Sequence, residues 1–581
     1  MRRRPGWVRG AAPPHSAVRA AITQAEAVGV FVGISLFAAG VALTFTAIRR
    51  HVFHDADSLD TAFDAGGHVS IVLFAVLSIQ LKTYAPGAKT FLQVIHARFG
   101  NAAHLVYCGM AALTSTLVMM MLLLGGTAVL RALVTGLTTE MSAMLFAALF
   151  GGYTLIGSLG ATFYVSYFNT ALIFALVLTL VVEVFHGNGS DHVLGSADRM
   201  YDLLNCWPAP AGNRDSSFLT FYSSGGLIFG VVNILGNFGT VFCDQSYWQS
   251  AVAARPAHGV WGFVLGGLTW FAIPFTMATT MGLAYVALSA AQGSPLLSDG
   301  DVAAGLVAPV VAQELLGRAG IFAILLLVLM AVMSTGSAEV IAVASIIVYD
   351  VFQTHLQPFR DDTRARRSAA GSERPAFSCA VHGPYRAYQE RLLSYKSWSV
   401  VWVSLLSVPL CLVGAAVQLN LEWVYYLTGT LISSAVVPIA LALLWDRTST
   451  TGMLGGALGG TACGLIAWLA VASQEEGGLS DFMASTGRQM PMLTGNLVST
   501  CAGGVFCTAL SLRDSWGTSA AERAAVWLCT RDIDNPLTPA QAVLEAVLYC
   551  DAQAEILSKL PPLALSRYGT PPSPLIHIRR S

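Results

Sequence analysis

Eleven stretches of this chain run for about twenty residues or more with scarcely a charge, and no soluble fold can hide that much uniform hydrocarbon. They lie at approximately 27–48, 103–126, 141–161, 166–186, 218–243, 259–289, 320–349, 398–417, 421–445, 451–473 and 493–512. A helix rises about 1.5 Å per residue, so roughly 20 apolar residues cross the roughly 30 Å of a bilayer's hydrocarbon. Each stretch is too long and too uniformly apolar for a buried strand, and a transmembrane β-barrel shows alternating segments of about ten residues instead. The expected class is therefore an all-α polytopic membrane protein whose surroundings are the lipid bilayer. Only 11% of the residues are charged, against roughly 25% in an ordinary soluble chain. That excludes a soluble multidomain enzyme. No basic block interleaved with aromatics could neutralise phosphates, so nucleic acid is not an expected partner. Ten cysteines scattered without a CxxC pair suggest neither a disulfide frame nor a zinc site. Neither GxxxxGK[ST] nor HExxH occurs, so ATP drive and zinc catalysis are not indicated; no cofactor and no enzymatic activity are expected.

Orientation follows from lysine and arginine, which collect in cytoplasmic loops. The loop 350–397 carries Arg360, Arg364, Arg366, Arg367, Arg374, Arg386, Arg391 and Lys396, whereas 187–217, 291–319 and 474–492 carry two, one and one basic residues. The first is expected inside and the other three outside. The one Asn-x-Ser/Thr sequon, at Asn188, then falls in an external loop as a candidate glycosylation site. Three parts are expected: a basic N-terminal segment 1–26, a transmembrane domain 27–512, and a cytoplasmic tail 513–581 with a polar, Pro-rich end. The stretch His68–Leu81 is too short for an easy crossing. With the N-terminus outside it is re-entrant; with Arg2, Arg3, Arg4, Arg9 and Arg19 holding the N-terminus inside, it crosses as a strained twelfth span. Five arginines against Arg49 and Arg50 favour the second arrangement.

Ionisable groups in hydrocarbon cost about 2.5–3.5 kcal/mol each on insertion scales, so each asks for a reason. Glu183, Asp350 and His104 sit near span ends, where snorkelling or a water-facing position explains them; Asp244 and Glu339 lie deeper. The segment 218–255 is too long for one straight crossing and is interrupted by glycine and asparagine, including Gly236, Asn237 and Gly239. We expect a discontinuous helix broken at Gly236–Gly239, since freed backbone groups at membrane depth are tolerated where they line a hollow. Asp244 and Trp248, like Gln245 and Gln249, share a face four residues apart, offering a carboxylate, amides and an aromatic plate. The alternative is that the glycines pack helices closely and the polar cluster is simply the end of a span. In 320–349, Ala331, Ser334 and Thr335 precede Glu339. Their hydroxyls either bond back to the helix and glue neighbours, or serve with the Ala331 carbonyl as hard oxygen ligands for a small cation, with Glu339 adding charge or a proton site. Gly452, Gly456, Gly460 and Gly464 recur every fourth residue as a packing face.

The string Gly236–Pro256, GNFGTVFCDQSYWQSAVAARP, resembles the signature of the urea active transporters, the urea–proton symporter branch of the sodium:solute symporters. Gly266–Gly282, Met330–Glu339 and Ala85–Leu92 support the resemblance, which covers most of 27–513. It implies a LeuT-like inverted-repeat helix bundle with a midplane site between two broken helices. It also implies ion-coupled uptake of urea at the plasma membrane by alternating access. In that scheme Asn237 falls where sugar-carrying relatives hold substrate, and Ala331, Ser334 and Thr335 match cation-ligand positions, a sodium site being the one metal site implied. Asp244, Gln245, Trp248 and Glu339 suit a small ligand with several N–H groups and one carbonyl. The coupling ion stays open: a carboxylate suits H+, paired hydroxyls suit Na+. One departure stands out. After Thr61–Gly67 the family carries a Trp-rich broken helix, the first of the first repeat, and this chain does not show it, so the first repeat reads as incomplete. The alternatives are a non-transporting or truncated member acting as sensor or assembly partner, and a symporter of another small solute.

Overall fold

The computed structural model describes residues 22–51, 72–187, 193–253, 256–359, 382–419, 421–519, 522–523, 526–531 and 533. The sequon at Asn188, the junction after Gly67, most of the basic loop and the end of the tail lie outside them. Among the described residues eleven helices or helix segments are long and apolar enough to span a bilayer, and they coincide with the eleven windows above. No strand occurs among those residues, only two isolated bridges.

The principal helices are α1 (Gln24–His51), α2 (Val72–Tyr84), α3 (Phe91–Leu133), α4 (Thr139–His186), α5 (Ala197–Cys206), α6 (Ser224–Cys243), α7 (Gln245–Ala253) and α8 (Pro256–Gln292). There follow α9 (Val307–Leu316), α10 (Arg318–Ser345), α11 (His382–Ala416), α12 (Leu421–Ile432), α13 (Val436–Leu444), α14 (Thr450–Leu454), α15 (Gly460–Ala472), α16 (Gln489–Asp514) and the short α17 (Leu528–Arg531). Two compact units emerge: 1–358 with 389–533, and 359–388 with 534–581. In the second, the rings of Phe359 and Tyr388 lie 5.5 Å apart. The first holds the helix bundle and everything discussed below.

Small residues set how closely these helices approach. A Cβ on Gly456, Gly460 or Gly464 would meet Cys507, Gly503 or Ser499 of α16 within 2.9 Å. The four-residue glycine stripe is thus the seam on which α14, α15 and α16 pack. In α4 the two windows 141–161 and 166–186 lie in one helical run, and both halves meet the same stretch of α10. Phe150 covers Gly336 and Tyr153 donates to Ser337 at 2.5 Å; Ser166 meets Ser334 at 2.6 Å, and Asn169 donates to the Met330 carbonyl at 3.4 Å.

The termini of α3 give the bundle two ends. Thr90, which caps α3, donates to Asp350 beyond the end of α10, so the start of α3 lies beside the origin of the basic loop. At the far end of α3, Thr135 N donates to the Ile22 carbonyl at 2.9 Å, Gln24 Nε2 to that of Gly136 at 2.6 Å, and Glu26 pairs with Arg318. The start of α1 therefore lies at the end opposite the basic loop. This corrects the arrangement favoured from the N-terminal arginines. A handful of tail charges is a weak vote, whereas packing of α1 against α4 and the pairing of Ile22 with α3 fix its direction. α2, thirteen residues long, is shorter than the hydrocarbon thickness and brings Lys82 to the basic end.

Candidate functional site

α6 does not break where glycine and asparagine suggested. It runs unbroken through Gly236, Asn237 and Gly239 to Cys243 and breaks at Asp244, whose backbone is extended at φ −86°, ψ 121°. This corrects the expected position of the break. The glycines serve a close crossing instead: a Cβ on Gly236 would lie 3.9 Å from Gly429 Cα, and one on Gly239 would lie 2.8 Å from Ser433 Oγ and 2.9 Å from Ile432 Cγ1. Helical backbone at glycine costs about 1 kcal/mol relative to alanine, and the close contact with α12 offsets it.

At the actual break, Asp244 is the N-cap of α7. Its carboxylate accepts the Ser246 N–H and the Ser246 hydroxyl, each at 2.7 Å. The free N–H groups that a broken helix would aim at a substrate are thus partly used by the chain's own carboxylate. Asp244 is buried, and so is Glu339 of α10; the two carboxyl groups face each other, with Ser246 and Ser115 alongside. One oxygen of Glu339 has no hydrogen-bond partner, and neither do the amide oxygens of Gln245 and Gln249. Gln245 Nε2 donates to the Lys89 carbonyl and Gln249 Nε2 to that of Ala338, both at 3.2 Å. The structure therefore joins Asp244 and Glu339 with Ser246 and Ser115 into one buried polar layer between α3, α7 and α10, while Gln245 reaches to the carbonyl of Lys89 and Gln249 to the backbone beside Glu339. Trp248 belongs to the core instead. It is fully buried, stacks on Phe91 at 5.2 Å, meets Phe74 edge-on at 4.5 Å, and donates its indole N–H to the Phe242 carbonyl at 2.8 Å. It presents no free plate to a ligand in this conformation.

Asn237 lies apart from that layer, on an exposed face of α6. Its Nδ2 donates to Asn233 Oδ1 at 2.8 Å and to Tyr425 Oη at 3.1 Å, and the Tyr425 hydroxyl donates to Asn233. Polar amides on the open side of an apolar helix are the opposite of what lipid contact favours. Sequence reading singled out Asn237 alone; the four-residue spacing of Asn233 and Asn237 is the signal that would have paired them, and Tyr425 is 188 residues away.

Of the three cation-ligand candidates, Ala331 and Thr335 share an exposed face one turn apart, while Ser334 is half-buried and bonded to Ser166. Ser166 and Asn169, whose buried Oδ1 has no partner, join this hydroxyl cluster from α4. Ser334 joins α10 to α4, whereas Ala331 lies within an unbroken helical turn, where its carbonyl is bonded along the helix, and the Thr335 side chain is exposed.

The model of the Sodium:solute symporter family matches residues 28–369. The chain is 39% identical over 480 residues to the urea-proton symporter DUR3 of Oryza sativa subsp. japonica, covering 79% of this chain and 61% of that protein. It is 38% identical over 463 residues to the probable urea active transporter 1 of Schizosaccharomyces pombe, covering 78% and 64%. It is 32% identical over 462 residues to the urea active transporter of Saccharomyces cerevisiae, covering 78% and 58%. The chain thus spans about three fifths of the length of these relatives. A solved Na+-coupled sialic acid symporter, in a substrate-bound outward-open state, superposes with TM-score 0.51 at 12% identity, covering 83% of this chain and 98% of that one. The chain belongs to the sodium:solute symporter family, and its fold is the LeuT-like helix bundle.

Proposed function

We propose that this member of the sodium:solute symporter family carries urea across the plasma membrane by alternating access, driven by a co-transported proton. The observation that supports this most is the 39% identity over 480 residues to a protein named a urea-proton symporter. The geometry supplies the chemistry. Two carboxyl groups that meet in a water-poor interior repel unless a proton lies between them. Asp244 and Glu339 form such a pair, on helices that belong to different parts of the chain, and loading or unloading its proton changes how strongly α7 is held against α10. Urea offers N–H donors and one carbonyl acceptor, which the Asn233–Asn237–Tyr425 cluster matches with amide oxygens, amide N–H groups and a hydroxyl. Gln245, which follows Asp244 in the chain, has an unused amide oxygen that suits the same ligand.

A sodium-coupled reading is favoured by one observation, the exposed Thr335 beside the bonded hydroxyls of Ser334 and Ser166. A member that does not transport is favoured by another: Asn237, Ala331 and Thr335 are exposed rather than enclosed, and Asn237 already spends its amide N–H groups on Asn233 and Tyr425. One experiment separates the three. Labelled urea uptake is measured in cells displaying this chain at their surface, under an imposed pH gradient and, separately, a sodium gradient. Uptake that follows the pH gradient is expected. Uptake that follows only sodium moves coupling to Ala331, Ser334 and Thr335, and surface-displayed protein without uptake rejects transport.

A further inference from the structure

At the basic end of the bundle a second buried polar cluster stands clear of the carboxyl pair. His104 and Asp350 have fully buried side chains, and His104 Nε2 lies 3.1 Å from Asp350 Oδ1. Thr90 Oγ1 donates to the same carboxylate oxygen at 2.9 Å, while Asp350 Oδ2 is buried without a partner. The other nitrogen of His104, Nδ1, lies 2.9 Å from Nε2 of His355, which is half-buried. The His96 ring lies 5.0 Å from that of His104 and 5.8 Å from that of His355, and Cys108 Sγ is 3.5 Å from His104 Nε2.

Two backbone departures build this cluster. Beyond Ser345, α10 continues as a π-helix over Ile346–Leu356. A π-helix bonds each residue to the fifth along, so Asp350 and His355, five apart, fall on one face. In α3, Gly100 adopts φ 76°, ψ −173°, a conformation that glycine reaches without penalty, and the kink turns 91–99 so that His96 comes beside His104. π-helical turns inside α-helices frequently mark functional sites.

We propose that His104, Asp350 and His355 form a proton-binding site at the basic end of the bundle, separate from the Asp244–Glu339 pair. His104 has a partner on each ring nitrogen, which makes it a relay. With Nε2–H donated to the Asp350 carboxylate, Nδ1 accepts from His355 Nε2–H when the cluster is neutral. When one proton is added from water at His355 Nδ1, the hydrogen on His355 Nε2 crosses to His104 Nδ1, so that His104 becomes the imidazolium and donates to the bare His355 Nε2. The same proton leaves by crossing to His355 Nε2 while His355 Nδ1 releases its own to water, so one proton enters and one leaves. Asp350 supplies the negative charge that makes the added proton stable in an apolar setting. Among the described residues no group of histidine, cysteine, aspartate and glutamate here has the arrangement of a metal site. Among the described residues, the titratable groups that act on the cluster are these three with His96 and Cys108. Arg98, two residues from His96, turns away to the carbonyls of Ala442 and Trp445.

The coupling role of this site rests on the proton-driven reading above; the binding of the proton does not. Ser115, Cys108 and His104 lie along α3 as Glu339 and Asp350 lie along α10, so both proton sites share one helix pair. The eleven residues from Glu339 to Asp350 make about 16 Å at the α-helical rise, too far for a direct step. A carboxyl-pair proton thus reaches the relay only in a state that admits water along this seam.

The test uses the purified full chain with labelled histidine, whose ring nitrogen resonances are followed from pH 5 to 8. Two resonances, assigned by His104→Gln and His355→Gln, are expected to titrate together, and Asp350→Asn is expected to shift their midpoint down by at least one pH unit. Independent titration of the two at the midpoint of an exposed imidazole, or no shift in Asp350→Asn, overturns the site. A variant that fails to fold shows as a loss of dispersion throughout the spectrum, and Thr90→Val, which removes one neutral donor to Asp350, then serves in its place. It is expected to move the pair upward by a fraction of a unit, and an unmoved pair overturns the site. Uptake by wild type and His355→Gln is read beside this: a flattened response to pH on the basic-end side is the coupling result. No uptake by either chain would count against the transport reading and leave the titration to decide the site.

Discussion

Replacing Asp244 separates what that residue does for the fold from what it does for transport. Asp244→Ala removes the acceptor of the Ser246 N–H and of the Ser246 hydroxyl, both bonded at 2.7 Å in a buried setting. Losing an N-cap costs about 1 kcal/mol, and leaving buried donors unsatisfied costs about 1–3 kcal/mol more. The start of α7 is therefore weakened by about 2–4 kcal/mol, which is a roughly 30- to 700-fold rise in local opening. Asp244→Asn keeps the cap, because asparagine caps helices about as well as aspartate, and it removes the repulsion between Asp244 and Glu339. Its effect on opening is expected within about fivefold, corresponding to roughly 1 kcal/mol. Hydrogen exchange of the peptide covering 240–253 reads this directly. Urea uptake is expected to be lost in both variants, so that only the asparagine form is folded normally and inactive. If Asp244→Asn opened α7 as much as alanine does, the residue would be acting through the fold alone. If the asparagine form took up urea normally, its carboxyl would have no part in coupling.

Tyr425→Phe removes the hydroxyl that bonds Asn233 and Asn237; a rise in the urea KM of about tenfold, roughly 1.4 kcal/mol, with little change in maximal rate, is expected in uptake assays, and an unchanged KM would remove this cluster from the urea path. Gly100→Ala meets no atom within 4 Å, so its cost is the backbone alone at φ +76°. A loss of about 1–2 kcal/mol is expected, read as a lower thermal midpoint, whereas Gly109→Ala, equally uncrowded but helical, is expected to be neutral or slightly stabilising. In the C-terminal segment, Glu522 accepts the Ser519 N–H at 2.8 Å and its hydroxyl at 2.9 Å, which holds the Glu522 carboxyl below its usual range. The folded state thus favours the ionised form, so this cap is at full strength above the ordinary glutamate value of about 4.3 and is lost as pH falls through the lower folded value. Trp527, stacked on Tyr84 at 4.1 Å, is the reporter: its fluorescence, isolated by subtracting Trp527→Phe, is expected to change below about pH 4, and the same change surviving in Glu522→Gln would assign it elsewhere.

The spans were legible because crossing a bilayer demands a length and a uniform polarity that only local sequence can supply, and all eleven windows recur as helices. The glycine stripe of 452–464 was legible for the same local reason: its four-residue period names the face, and the structure finds α16 upon it. The break in α6 was misplaced by five to eight residues. Glycine and asparagine permit a helix to end but do not require it. The close crossing with Gly429 rewards continuity at Gly236, whereas Asp244, a strong cap residue, ends one helix and begins the next.

That this chain lives in lipid, where its apolar helices run, and which buried charges ask for an explanation could all be read along the chain. What each polar residue meets could not. Glu339 finds Asp244 across 95 positions, Asn237 finds Tyr425, and His104 finds Asp350 and then His355, while Trp248 turns into the core. Hydrophobicity acts on each segment alone, whereas a hydrogen bond or a shared proton exists between two groups, and which two come together depends on how the helices pack.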